Sequence, residues 1–110
     1  MITKEDTVKI NEQFSNGKIL NEGSLQFALS QSKDTKDWTK QIAFIIRAIL
    51  IDHIFEEGNK RTASALIMSV LEIHKQAYDS QKVGSIVVEI LKKNIININK
   101  IRRMIKNALR

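Results

Sequence analysis

The chain has 110 residues, 43% hydrophobic and 27% charged, which is the size and balance of one globular domain spanning 1–110 and not of a disordered segment. It contains no proline, no cysteine and four glycines. That argues against a turn-rich β-sandwich or barrel and excludes a disulfide scaffold, a thiolate zinc site and a cysteine nucleophile. The lack of cysteine fits a reducing cytoplasm. The longest apolar run, Ile42 to Ile46, is far too short for a bilayer, and Met1-Ile2-Thr3-Lys4-Glu5-Asp6 has acids where a signal peptide needs a basic head. The expectation is a small, soluble, cytoplasmic domain with no membrane partner.

The net charge of +6 is unevenly placed. From Lys92 onward there are seven basic residues (Lys92, Lys93, Lys100, Arg102, Arg103, Lys106, Arg110) and no acid, so everything before them sums to −1. A basic terminal segment suits nucleic acid or an acidic protein partner equally well.

Hydrophobic residues recur with the 3.6-residue period of helices, and no convincing alternation of period two is present. Thr3 is a candidate cap for a first helix, with Asp6 as its acidic partner three residues on. Ile10 and Phe14 are expected to lead its apolar face, and Ser15-Asn16-Gly17 to end it. Gly17 to Gly23 reads as a loop or short hairpin. Ser24 is then expected to cap a short helix through Leu25, Phe27, Ala28 and Leu29, with a polar connection from Ser30 to Lys36. From Asp37 to about Asp52, apolar residues occupy nearly all sides, which predicts a central helix wrapped by the others. Arg47 alone interrupts it and is expected to carry its guanidinium to the surface. A break at Ile54–Gly58 precedes a helix from Asn59 to about Gln76. Two more helices are expected, from Ser80 to Lys92 and from Asn97 to Leu109, with Ile98, Ile101, Ile105 and Leu109 on one stripe. Trp38, Phe44 and Phe55 are expected in the core, and His74 on the surface or at a helix end. The fold class is therefore all-α, a single-domain bundle of about six helices.

Between the two most apolar helices lies His53-Ile54-Phe55-Glu56-Glu57-Gly58-Asn59-Lys60-Arg61-Thr62. A polar turn flanked by core on both sides is a candidate binding site. Gly58 allows close backbone approach, and the amides of Asn59 to Arg61 open a helix, where an anion meets the positive end of the dipole. Lys60 and Arg61 add cationic charge, and arginine grips phosphate with two hydrogen bonds. Glu57 stands where it could hold a magnesium ion, which keeps most of its ligands as water and phosphate oxygens. An imidazole such as His53 can take a proton from an attacking hydroxyl near neutral pH. Singly, each residue has an ordinary reading: a helix-capping histidine, a solvated basic pair, a carboxylate favourable to a dipole.

Together these residues resemble the signature of the Fic/Doc family, His-x-Phe-x-(Asp/Glu)-Gly-Asn-Gly-Arg-x-x-Arg. His53, Phe55, Glu57, Gly58, Asn59 and Arg61 match it. Lys60 replaces the usual third-position glycine of Gly-Asn-Gly, and Ser64 replaces the second arginine. Asn59-Lys60-Arg61-Thr62 is similar to the Doc branch, although Doc has alanine where Gly58 stands. The resemblance implies a Fic/Doc-like helical fold with His53 as general base and Glu57 as the magnesium ligand. It further implies Gly58, Asn59, Lys60 and Arg61 as the phosphate-binding residues for ATP, with Asn16 to Gly23 as the flap that docks the target.

Fic proteins usually transfer AMP to a protein hydroxyl, whereas the Doc branch transfers the γ-phosphate to a translation elongation factor. The charge added at Lys60 and the grip lost at Ser64 favour phosphorylation, with AMP transfer as the alternative. The self-inhibitory pattern (Ser/Thr)-x-x-x-Glu-(Gly/Asn) is absent: glutamate precedes glycine only at Glu22 and Glu57, and four residues earlier stand Lys18 and His53. Restraint by a separate antitoxin is the expectation. A non-enzymatic module binding nucleic acid or an acidic partner through its basic end is the competing expectation.

Overall fold

Fourteen residues from Trp38 to Ile51 form the axis on which the domain is built. The computed structural model describes residues 2–110, and its helices are α1 (Lys4–Glu12), α2 (Glu22–Lys33), α3 (Trp38–Ile51), α4 (Asn59–Ile73), α5 (Ser80–Lys93) and α6 (Ile98–Lys106). α2, α4, α5 and α6 all pack on α3, while α1 packs on α4 and α2. Ile42, Ile45, Ile46 and Ile49 of α3 are fully buried. β-Branched residues are only moderate helix formers, so α3 owes its stability to this burial, on the order of 2 kcal/mol per side chain. Among the described residues there is no strand, only isolated bridges at Ile19–Phe55 and Tyr78–Leu109. No helix is long and apolar enough to cross a membrane.

The outer helices bury the faces their spacing dictates. α5 turns Val83, Ile86, Val87 and Ile90 inward, and α6 turns Ile101 and Ile105 inward. Thr3 does cap α1, and its capping box with Asp6 is complete. Several expected boundaries move. Asn21, not Ser24, caps α2, because its side chain accepts from the Ser24 amide, and the helix runs on through the polar Ser30–Lys33. α4 stops at Ile73 with His74 as its cap, and α6 stops at Lys106, where Leu109 instead pairs with Tyr78.

The expected apolar face of α1 is met in part: Ile10 is half-buried and packs on the core. Thr7 and Asn11 are buried, while Phe14 lies beyond the helix and is 37% exposed. Of the three aromatics expected in the core, only Phe55 is there. Trp38 is half-buried and stacks on His74 at 4.1 Å between ring centres, and Phe44 is half-buried beneath the Arg47 guanidinium. Arg47 does reach outward, but its guanidinium is tied down, donating to the Ile96 carbonyl and to Gln31 Oε1, both at 3.2 Å.

Asp37 joins the start of α3 to α6. Its carboxylate caps the Thr39 amide, accepts from the Thr39 hydroxyl and pairs with Arg102, whose side chain is 30% exposed. The Thr39 hydroxyl first, and then Arg102, hold the carboxyl below its ordinary value of 3.8 against the opposing effect of desolvation. A carboxyl with a lower pKa folded than unfolded stabilises the protein above the unfolded value, and that stability drains away as pH falls through the folded one. Asp37→Ala is accordingly expected to cost about 1–2 kcal/mol at pH 7 in urea denaturation. Its deficit against wild type should shrink as the pH is taken below 3.8; a deficit that stayed constant in acid would contradict the assignment.

Candidate functional site

Ile54 to Gly58 connects the end of α3 to the start of α4, and left-handed backbone bounds it on both sides. His53 has φ 48° and Gly58 φ 78°. For histidine that conformation costs roughly 1–2 kcal/mol. Lys75 and Asn94, the other non-glycine residues with positive φ among those described, also stand at helix ends. A left-handed residue thus follows α3, α4 and α5, whereas α1, α2 and α6 end in right-handed caps, and at His53 it sets an exposed imidazole beside a cleft.

The irregular loop needs partners for its backbone, and two asparagines and one extended segment supply them. Asn59 turns its carboxamide back on Phe55, accepting from the Phe55 amide at 3.1 Å and donating to the Phe55 carbonyl at 2.9 Å. Asn11, fully buried on α1, donates to the Glu57 carbonyl at 2.9 Å and to Thr62 Oγ1 at 3.0 Å, and accepts from the Gly17 amide at 2.9 Å. The segment Lys18–Asn21 runs antiparallel beside the loop. The Leu20 amide donates to the Ile54 carbonyl at 2.7 Å and the Glu56 amide to the Lys18 carbonyl at 3.0 Å. The segment lies within Asn16 to Gly23, the stretch expected to act as a flap. It ends at Asn21, and Gly23 belongs to α2.

All six candidate residues, His53, Glu57, Gly58, Asn59, Lys60 and Arg61, line one cleft of about 450 Å³, joined by Phe14 and Leu91. The side chains of His53, Glu57, Lys60 and Arg61 are exposed, and among the described residues none makes an ion pair or hydrogen bond within the chain. The neighbouring Glu56, by contrast, is engaged by Lys18 at 3.7 Å and Asn16 at 3.4 Å. The start of α4 likewise has no side-chain cap, whereas α1, α2, α3, α5 and α6 are capped by Thr3, Asn21, Asp37, Asp79 and Asn97. The cleft therefore presents an imidazole, a carboxylate, two cations and the free amides of a helix start with no internal claim on them. An anion is the ligand such a set attracts.

Asn59 has a structural use as well as its place in the cleft. With its carboxamide committed to Phe55, it holds the loop in shape and offers the cleft its backbone. Glycine suits position 58 on two counts: its φ is left-handed, and a Cβ there would stand a tight 3.2 Å from Asn11 Nδ2. No group of three or more His, Cys, Asp or Glu side chains that could hold a metal exists among the described residues. Glu57 alone fits an ion that draws its remaining ligands from phosphate and water, as magnesium does.

Three contributors escape the sequence reading. Asn11 looks like one more polar residue on an amphipathic helix, and Phe14 like part of that helix's apolar face. Leu91 lies far away in the chain. Comparison with protein-family models, with curated proteins and with solved structures finds no match for this chain. The functional reading rests on the residues and their geometry.

Because its carboxamide satisfies three buried or half-buried groups at once, Asn11→Ala is expected to destabilise the domain by about 2–3 kcal/mol. Urea denaturation would measure the loss, and amide exchange at Gly17 should accelerate in the variant. A change under about 0.5 kcal/mol, the range of ordinary surface substitutions, would show that the network is dispensable.

Proposed function

We propose that this chain is an ATP- and magnesium-dependent transferase of the Fic/Doc type, phosphorylating a hydroxyl of a target protein. The single observation that carries the reading is the cleft itself. It gathers the uncommitted His53, Glu57, Lys60 and Arg61 around the uncapped start of α4, and the same residues carry the resemblance to the family's signature.

In the proposed reaction the His53 imidazole takes the proton from the target hydroxyl. The oxygen then bonds to the γ-phosphorus as the bond to the bridging β–γ oxygen breaks, and ADP departs. Lys60, Arg61 and the free amides of α4 neutralise charge on the phosphates, an electrostatic contribution that strengthens where water is excluded. Glu57 would hold the magnesium ion, whose charge offsets that of the transferred group. The Lys18–Asn21 segment, paired on one side to the loop, offers an edge along which an extended target segment could lie in register with His53. Lys60 and Ser64, where AMP-transferring relatives have glycine and arginine, favour transfer of the terminal phosphate. By the same resemblance the target is a translation elongation factor, and the restraint is an antitoxin supplied as a separate chain.

Incubation with ATP, magnesium and translation factors, followed by mass spectrometry, tests the reaction. A gain of one phosphate on a hydroxyl residue is expected, and His53→Ala should reduce it by about 100-fold or more, the usual contribution of a general base. Label arriving from α-phosphate-labelled ATP would replace phosphorylation by AMP transfer, and no transfer of either group would remove the enzymatic reading. In cells, expression of the chain without a partner is expected to arrest growth, and His53→Ala to relieve the arrest. Unimpeded growth with wild-type protein present would remove the toxin reading.

A further inference from the structure

The phosphate cleft does not end at Lys60 and Arg61. These two residues and Phe14 also line a second hollow of about 470 Å³, which runs between α4 and α5 over Ala65, Met68 and Val88. Small residues make the room. Ser64 and Ala65 on α4 face Gly84 on α5, and a Cβ built on Gly84 would meet nothing within 4 Å. Val88 is 53% exposed and Phe14 37% exposed, so apolar surface lies open beside a cationic site. Past the two cations, the Ser64 hydroxyl is the one polar side-chain group among the residues lining the hollow.

A ligand that fills both hollows has an anionic end and a flat, weakly polar end, and a nucleoside triphosphate has that shape. We infer that the α4–α5 trough seats the base of the nucleotide against Phe14, and that it accepts adenine and guanine nearly alike. This rests on the proposed phosphate cleft and adds to it the place and the selectivity of the nucleoside. Phe14 stands where the two hollows meet and supplies a face for stacking, which every base can use. Distinguishing adenine from guanine requires hydrogen bonds to the base edges, because a buried polar group left unpaired is what rejects the wrong ligand. One hydroxyl gives little of that.

Isothermal titration of the whole protein, with magnesium, against non-hydrolysable ATP and GTP analogues and inorganic tripolyphosphate separates the two hollows. The nucleotides are expected to bind within about threefold of each other and about tenfold or more tighter than tripolyphosphate, the scale of one stacked base. Phe14→Ala should remove the nucleotide's advantage, and so should Gly84→Leu, which fills the trough from a helical position with open space around it. Gly84→Leu, which lies outside the phosphate cleft, should bind tripolyphosphate like wild type. Tripolyphosphate binding as tightly as nucleotide, a preference above about tenfold for one purine, or variants without effect on nucleotide binding would overturn the trough and leave the phosphate cleft standing. Failure of all three ligands to bind wild-type protein would overturn both.

Discussion

The buried carboxamide of Asn11 is the interaction on which the site depends. An asparagine inside a helical bundle costs free energy unless its donors and acceptor are met, and here one group from each of three different segments meets them. A single hydrogen bond contributes about 1 kcal/mol net, but a buried polar group deprived of its partner costs about 1–3 kcal/mol. The network therefore acts by exclusion. Conformations of the loop that withdraw the Glu57 carbonyl, or of α4 that withdraw Thr62, leave Asn11 unsatisfied. Through Asn11, the position of α1 fixes the start of α4, and with it the direction of the amides that face the cleft.

Charge is arranged around the same distinction between committed and free groups. Asp37 and Arg102 hold α3 to α6, and Arg47 spends its guanidinium on Gln31 and the Ile96 carbonyl. These ions are structural. Of the basic end of the chain, Arg102 is thus committed to holding the bundle together. Lys60 and Arg61 lie on a different part of the fold and have no carboxylate partner. Within a Debye length of about 8 Å at physiological salt their fields reinforce each other and the helix dipole over the cleft.

What could be read from sequence divides along physical lines. Helix number and the centrality of α3 were legible because burial imposes a period, and Ile42 to Leu50 satisfy it on every side. The cleft's polar members were legible because a glycine-centred polar run between two apolar helices has few structural uses. Phe14 escapes the pattern because an aromatic four residues after Ile10 fits a helical stripe, whereas the chain leaves the helix at Glu12 and Phe14, 37% exposed, lines the cleft. Asn11 was invisible for a related reason. Its partners are 46 and 51 residues away in the chain, and no local pattern distinguishes a buried asparagine from a solvated one. Asn59 lines the cleft as expected, but its side chain also has a structural use. Its place in the motif that resembles the Fic/Doc signature draws attention to its side chain, while the structure uses that side chain to close the loop.

Rigidity of the loop links these points to function. Five residues without regular structure would ordinarily be mobile, yet Ile54 and Phe55 are buried, Asn59 and Asn11 engage the backbone, and Lys18–Asn21 pairs along one side. The conformational entropy of ordering the loop, about 1–2 kcal/mol of backbone per residue, is thereby lost on folding and not on ligand binding. The left-handed strain at His53 is held in the same way, by anchors on either side of it. A cleft prepared like this keeps more of its interaction energy for a ligand, since the backbone that carries the imidazole, the carboxylate and the cations need not be ordered at the moment of binding. The side chains that remain free to move are His53, Glu57, Lys60 and Arg61, so adaptation to a ligand falls to rotamers of four exposed residues on a fixed backbone.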